Sequence, residues 1–279
     1  MAHIKPLAID LFCGLGGWTE GLLAEGYRVV GFDIEQHVYG EARYPAQLVL
    51  QDVLTIHGRQ FKNAALIVAS PPCQEYSYMA MPWSRAKAIA AEYRSGARDV
   101  AKLTALFDAC FRLQREACEA AGRHIPMVVE NVRGAQQWVG RSRYHFGSFH
   151  LWGDIPALMP IAHRGVMKWC VGTVNGSGNK REQAPWDRGV KVSTMGAGWY
   201  PPRKGRAGFD GSTPYLTNQQ EHTGVKCGGD WFNASQPSIS RTTSSKSTAR
   251  KAASAHIAKI PLTLSRHIAK AWYPHTEAV

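Results

Sequence analysis

No stretch of about 18 consecutive apolar residues, the length a membrane-spanning helix needs, occurs in the 279-residue chain. The opening "MAHIKPLAID" runs straight into a strand-like pattern, without the charged and apolar segments of a secretion leader. The six cysteines, at 13, 73, 110, 118, 170 and 227, form no Cys-x-x-Cys pair and keep no regular spacing. That argues against a zinc site and against a disulfide framework, so no metal is expected. Together these absences lead to the expectation of a cytoplasmic, membrane-independent protein with reduced thiols. Internal repeats are absent as well. Acidic residues are scarce in one half only: residues 151–279 hold 7 Asp and Glu against 17 Lys and Arg, whereas residues 1–150 hold 14 against 16. A basic surplus gathered in one region suits a polyanion, because neutralising phosphates releases their counterions.

What is present in the first 150 residues is an alternation of strand-like and helix-like patterns. "LAIDLF", "RVVGFDIE", "ALIVAS" and "PMVVENV" are short apolar runs, and "TEGLLAEG" has helical spacing with a glycine stop. "DVAKLTALFDACFRLQREACEAAG" predicts a long helix ending at Gly122. Strands separated by helices imply an α/β fold with a mostly parallel sheet and helices on both faces. After about residue 155 the periodicity fades into glycine, proline, tryptophan and Ser/Thr clusters, densest in the polar and basic stretch 235–254. "IPLTLSRHIAKAWYP" then predicts a helix returning to a core through Leu264, Ile268 and Trp272.

Two loops invite chemistry. In "DLFCGLGGWTEGL" the glycines 14, 16 and 17 stand between a strand and a helix, where they permit positive φ and close approach of a ligand to the backbone. Asp33 and Glu35 close the next strand pattern and Asp52 closes a third, placing acceptors at one sheet edge where a nucleoside would bind. In "ASPPCQEYSYM", Cys73 follows Pro71 and Pro72, which fix φ twice and remove two backbone donors. A cysteine kept for packing sits more often inside an apolar element. Here the thiol is expected to be held out and still.

"DLFCGLGG", "PPCQEYS" and "ENV", in this order, resemble the motif series of the DNA (cytosine-5) methyltransferases, and "IPLTLSRHIAKAW" is similar to their C-terminal motif. The resemblance covers residues 7 to about 150 and 258–273. It implies a Rossmann-like class I methyltransferase fold plus a smaller irregular target-recognition region, S-adenosylmethionine as cofactor, and duplex DNA as partner. The implied organisation is a catalytic and cofactor-binding domain at 1–155, a target-recognition region at 156–255 and a returning C-terminal helix at 256–279. A monomer with no obligate protein partner is expected. Compact size and a divergent recognition region resemble phage or restriction-modification members.

Carried onto this sequence, the resemblance makes Cys73 the nucleophile that adds to cytosine C6, because C5 is a poor nucleophile until that addition. Glu130 would hydrogen-bond the ring N3 and exocyclic amine while carrying a proton at least transiently. Asn131 would tie the strand end to the Pro-Cys loop. Arg143 would contact the flipped base, although the family's Gln-x-Arg-x-Arg signature is represented only by Arg141 and Arg143, without its glutamine. The implied cofactor site comprises Asp10, Phe12, Gly14, Leu15, Gly16, Gly17, Asp33, Ile34, Glu35, Asp52, Val53 and Pro71, with Asp33 favoured over Glu35 for the ribose and Ile34 against the adenine. Gln74, Ser77, Arg85, Arg98, Arg241, Lys246, Arg250 and Lys251 are the DNA-contact candidates. The stretch that follows Cys73, with Arg85, Lys87, Arg94 and Arg98, suits a mobile loop closing over DNA or an exposed helix in its second half. Trp186, Trp199 and Trp231 suit the core of the recognition region.

Three other readings remain. A nicotinamide oxidoreductase would share the glycines and Asp33 but leave "PPCQ" and "ENV" without a task. An RNA-directed cytosine-5 methyltransferase is a closer rival, though its Cys-Phe-Thr signature is absent. A catalytically dead homologue that only binds DNA would have no need of both Cys73 and Glu130.

Overall fold

In a computed structural model of the chain, the structure describes residues 5–73, 76, 83–160 and 248–274. The elements are β1 (Leu7–Leu11), α1 (Gly17–Ala24), β2 (Arg28–Asp33), the short pair β3 (Val38–Tyr39) and β4 (Ala42–Arg43), and β5 (Gln47–Leu50). Two 3-10 turns, Val53–Thr55 and Gly58–Phe61, lead to β6 (Ala64–Ala69), which is followed by α2 (Trp83–Arg94), α3 (Val100–Ala121) and β7 (Met127–Asn131). A further 3-10 turn (Arg133–Ala135) runs into α4 (Gln136–Val139), then β8 (Tyr144–Phe146), β9 (Phe149–Gly153), α5 (Thr248–Ala258) and α6 (Leu262–Ala271).

Seven strands form one sheet in the order β5-β2-β1-β6-β7-β9-β8. The pairs β5·β2, β2·β1, β1·β6 and β6·β7 are parallel, and β7·β9 is antiparallel. This is a doubly wound, Rossmann-like α/β arrangement: the chain walks outward from β1 through β2 to β5, then crosses back to β6 on the other side of β1. A crevice opens at the carboxyl ends of β1 and β6, where the direction of winding reverses. The central strands are buried nearly throughout, all five residues of β7 among them, which is why they read as continuous apolar runs and not as alternation.

One face of the sheet, with Ile9, Leu11, Ile67, Ala69, Met127 and Val129, joins Phe107, Cys110 and Leu113 of α3 in a single core cluster. Helix α3 begins where Asp99 accepts a hydrogen bond from Ala101 N at 2.8 Å and stops at Gly122 with φ 64°. On the opposite face α1 lies beside β1 and β2 and packs against α6. Leu264 and Ile268 of α6 are fully buried, each worth about 1.5–3 kcal/mol of hydrophobic stabilisation. Trp272, half-buried just beyond the helix, donates its indole N–H to Asp154 O at 3.1 Å. Tyr27 Oη donates to Ala269 O at 3.0 Å, and Arg266 pairs with Glu25 at 2.7 Å.

The chain divides into two compact units. One comprises Met1–His145, Phe149–Pro160 and Leu262–Val279, the other Phe146–Ser148 and Ile161–Pro261. The described part of the second unit includes α5, so the last residues of the polar stretch 235–254 are helical, which the lack of apolar periodicity concealed. Of the two readings of the stretch after Cys73, the helix is the one present from Trp83 onward, as α2, although Ala90 and Tyr93 in it are buried where an exposed helix was expected. Among the described residues no helix is long and apolar enough to cross a membrane.

Candidate active site

The turn after β1 carries the most unusual backbone of the described residues. Phe12 has φ 58°, and it alone among the described non-glycine residues has positive φ. A bulky side chain in that region costs about 1–3 kcal/mol and persists only where its surroundings impose it. Gly14, at φ 51°, has nothing within 4 Å of where a Cβ would stand, so its surface is open. Gly16 is a glycine for another reason: a Cβ there would lie 2.5 Å from Pro45 Cδ. That side of Gly16 faces the segment before β5. Leu15 and Gly17 are buried.

Below this turn lies a polar network. Thr19 Oγ1 donates to Asp10 Oδ2 at 2.6 Å and stands 2.7 Å from the Tyr44 hydroxyl. Asp10 is 1% exposed and its Oδ1 has no hydrogen-bond partner among the described residues. Burial pushes the Asp10 carboxyl up to about 8, with the Thr19 hydrogen bond acting against the shift. Burial also raises the Tyr44 hydroxyl.

Asp33 ends β2 with both oxygens engaged: Oδ2 accepts from Gly14 N at 2.9 Å, and Oδ1 from Ile34 N at 2.8 Å and Glu35 N at 3.3 Å. Burial pushes its carboxyl up, but the hydrogen bonds from His37 and from the Gly14 and Glu35 amides outweigh it and hold the group below the usual carboxylate range. Asp33 therefore stays charged and locks the glycine turn to β2 while retaining spare acceptor capacity. Ile34 beside it is 73% exposed, an apolar side chain in the open at the strand end. The Glu35 side chain is 55% exposed. Asp52 caps the first 3-10 turn by accepting from Leu54 N at 2.9 Å. The Val53 side chain belongs to the core cluster, so only its backbone is available to a ligand. From below, Arg112 of α3 donates to Ile56 O at 2.9 Å and to Glu116, and Glu116 accepts from Gly58 N at 2.6 Å. That clamp fixes the turn that presents Asp52.

Across the crevice, Ser70 N continues the ladder to Leu11 O at 3.1 Å, and Ser70 Oγ accepts from the Trp18 indole at 3.0 Å. The Gly-rich turn and the loop after β6 are thereby tied together. Pro71 is buried and Pro72 exposed; Cys73 is half-buried and its carbonyl accepts from Tyr76 N at 3.1 Å. Tyr76 anchors this loop by donating its hydroxyl to Leu103 O at 2.7 Å. On the neighbouring strand, Asn131 Nδ2 donates to Pro71 O at 3.0 Å while its Oδ1 accepts from Val132 N at 2.8 Å. Glu130 is 4% exposed at the end of β7, directly opposite Leu151 of β9. In register Ala69 pairs with Val129, so the Pro-Cys loop and the Glu-Asn pair leave adjacent parallel strands at the same edge.

Arg141 and Arg143 are exposed on either side of half-buried Ser142, and Arg143 N donates to Leu151 O at 2.9 Å. Arg98 pairs with Glu92 at 2.5 Å and lies over the Tyr93 ring at 5.6 Å, which gives this DNA-contact candidate a local partner. Lys251 is exposed on α5. Arg85 and Arg250 fall within α2 and α5. Gln74, Ser77, Arg241, Lys246 and the three tryptophans of the recognition region lie outside the described residues. Sequence reading missed Thr19, Tyr44 and Arg112, whose partners are remote in the chain and leave no local pattern.

A doubly wound α/β sheet thus carries a strained glycine turn, a locked carboxylate and a proline-fixed thiol at one edge. Residues 7–86 match the family model described as C-5 cytosine-specific DNA methylase. No curated protein is significantly similar to the chain. Among solved structures, a protein encoded within an E. coli prophage and assigned as a DNA modification methyltransferase is 24% identical over 48% of this chain and 34% of its own, with a TM-score of 0.32. The S. pombe Dnmt2 methyltransferase is 15% identical over 49% of this chain and 37% of its own, with a TM-score of 0.31. Entamoeba histolytica methyltransferase EhMeth is 14% identical over 65% of this chain and 58% of its own, with a TM-score of 0.34. The chain thus spans about a third to somewhat over half of each of these structures, and the fold rests on its own strand order.

Proposed function

We propose that the chain is a DNA (cytosine-5) methyltransferase using S-adenosylmethionine. The observation that carries this reading is the joining of the Pro-Cys loop to the end of β7 through Asn131 Nδ2 and Pro71 O, beside the glycine turn. The residues around that turn fit the cofactor: Gly14 leaves open space, Asp33 retains acceptor capacity for ribose hydroxyls, and Ile34 offers an exposed apolar surface to a flat base. Asp52 suits an exocyclic amine. When bound, S-adenosylmethionine supplies an electrophilic sulfonium methyl group. The Cys73 thiolate adds to C6 of a cytosine swung out of the duplex, which raises the electron density at C5. Glu130, buried at the strand end, holds N3 and the amine as the ring gains charge. Loss of the C5 proton then lets the Cys73 sulfur leave. The basic region 156–255 would grip the phosphates first and the bases second.

The test is transfer of tritiated methyl from S-adenosylmethionine to duplex DNA by the full chain, with tRNA in parallel and bisulfite sequencing to locate the product. Labelled 5-methylcytosine in DNA is expected. Label in tRNA alone would replace the DNA reading, and label in neither would remove the enzymatic one. Glu130→Gln is expected to lower kcat by about 100-fold or more while changing DNA affinity less than threefold, because its hydrogen bonds strengthen as charge develops. Equal losses in both would make Glu130 a binding residue.

A further inference from the structure

The turn that carries the two exposed arginines is pinned far more heavily than an edge connection needs. Gly140, at φ 85°, accepts the Trp152 indole N–H on its carbonyl at 3.0 Å. Gln136, the first residue of α4, accepts from both Ser142 N and Ser142 Oγ at 3.2 Å through Oε1, while its Nε2 donates to Arg133 O at 3.4 Å. Ser142 Oγ lies 2.9 Å from His150 Nδ1. Since the serine proton goes to Gln136, Oγ is left as the acceptor and His150 Nδ1 carries the proton. His150 is 8% exposed on β9 and is the register partner of Asn131. Directly paired antiparallel residues share a face of the sheet. Hydrogen bonds thus run from Gln136 through Ser142 to His150, and His150 stands in register beside Asn131, which donates to the carbonyl of Pro71, two residues before Cys73. The backbone bond from Arg143 N to Leu151 O places Arg143 one strand beyond Glu130.

We propose that Gln136, Ser142 and His150 are positioning residues that aim Arg141 and Arg143 at the oxygen acceptors of the target nucleotide, a proposal that rests on the methyltransferase reading above. Arginine is a rigid fork whose value depends on where its backbone is held. Gln136 holds from α4 the backbone and side chain of Ser142, which stands between the two arginines. A displacement of about 1 Å at such a site costs on the order of 10- to 100-fold in rate.

The experiment measures single-turnover methyl transfer, DNA affinity, cofactor affinity and melting temperature for the full-length wild type and variants. Gln136→Leu and His150→Leu are expected to slow transfer at saturating DNA and cofactor by about tenfold or more, with cofactor affinity within about twofold. Gln136→Glu, which keeps the acceptor, and His150→Asn, which can present N–H at the Nδ1 position, should recover most of the rate. In an Arg143→Ala background, Gln136→Leu should cost little further, because the two act through one group. Ser142→Ala removes a single hydroxyl and provides the same reading if a larger change unfolds the chain. Additive losses with Arg143→Ala, no recovery by the conservative variants, or wild-type rates in Gln136→Leu would each overturn the positioning role while leaving the enzyme reading intact. A wild type that methylates no DNA would overturn both.

Discussion

Cys73→Ser is expected to abolish the covalent complex with DNA carrying 5-fluorocytosine at the target position, and to lower methyl transfer by at least about a thousandfold. With fluorine at C5 there is no proton to lose after methylation, so the wild-type sulfur stays bonded to C6 and the complex survives a denaturing gel. Serine keeps the shape of the loop but is a far weaker nucleophile, since an alcohol is almost wholly protonated where a free thiol, with a pKa of about 8.5, is a few per cent thiolate. The structure separates this effect from collapse of the fold. The Cys73 side chain is half-buried, and the loop is held by Tyr76 Oη on Leu103 O and by Asn131 on Pro71 O, neither of which uses the thiol. Melting temperature and cofactor affinity should therefore stay close to the wild-type values. Trapping of fluorinated DNA by the serine variant would withdraw Cys73 as nucleophile, as would failure of the wild type to trap a sequence it demonstrably methylates.

The largest stability effect is expected at Gly21, in the middle of α1. By propensity alone, alanine in place of a mid-helix glycine stabilises by about 1 kcal/mol. Here the sign should reverse. A Cβ on Gly21 would stand 2.3 Å from Ser265 Oγ and 2.5 Å from both Arg266 N and Ser265 C, and the last two are backbone atoms that cannot rotate away. Helix α6 would have to retreat, loosening the Tyr27 bond to Ala269 O and the Glu25–Arg266 pair. Overpacking of this kind costs about 1–3 kcal/mol and grows with side-chain size, so Gly21→Ala should melt several degrees lower and Gly21→Val lower again. An alanine variant that melts higher than the wild type would show that α6 does not seat on α1 as described.

Much of this was legible in the chain because it is local. The runs that became β1, β2, β6 and β7 are apolar on both faces, and Asp99 and Gly122 punctuate α3 with side-chain and backbone chemistry visible in sequence. Cys73 stood out by its neighbours, since two prolines are an unusual setting for a thiol, whereas Glu130 was reached through the resemblance of its motif. What stayed hidden depends on distant partners. Gly31 looks like a weakness in β2 until the Tyr44 ring is seen 2.3 Å from where its Cβ would be. Gly16 shows a packing reason for being glycine only once Pro45 is seen in the space a Cβ would take. The path from Gln136 to His150 joins residues 14 apart that share no motif, and β8, three residues long, lacks the length that would mark it as a strand. The helix in 248–258 is obscured by its polarity, a weak pattern beside that of α6.

The seat of α6 on α1 also sets a schedule for the newborn chain. Synthesis runs at about 5–20 residues per second, so the apolar flank of α1, made early, waits on the order of ten to fifty seconds for its cover. During that interval the sheet can form from β1 to β9, yet Leu22, which ends 0% exposed, belongs to a helix whose partner does not exist. The wait is a window for a chaperone, and the segment between Pro160 and Leu262 accounts for 101 of the 237 residues made between the two helices. Equilibrium closure is forgiving, since doubling such a connection costs only about 0.6 kcal/mol. Lengthening that segment would thus leave the finished protein almost as stable while making it slower and more hazardous to produce.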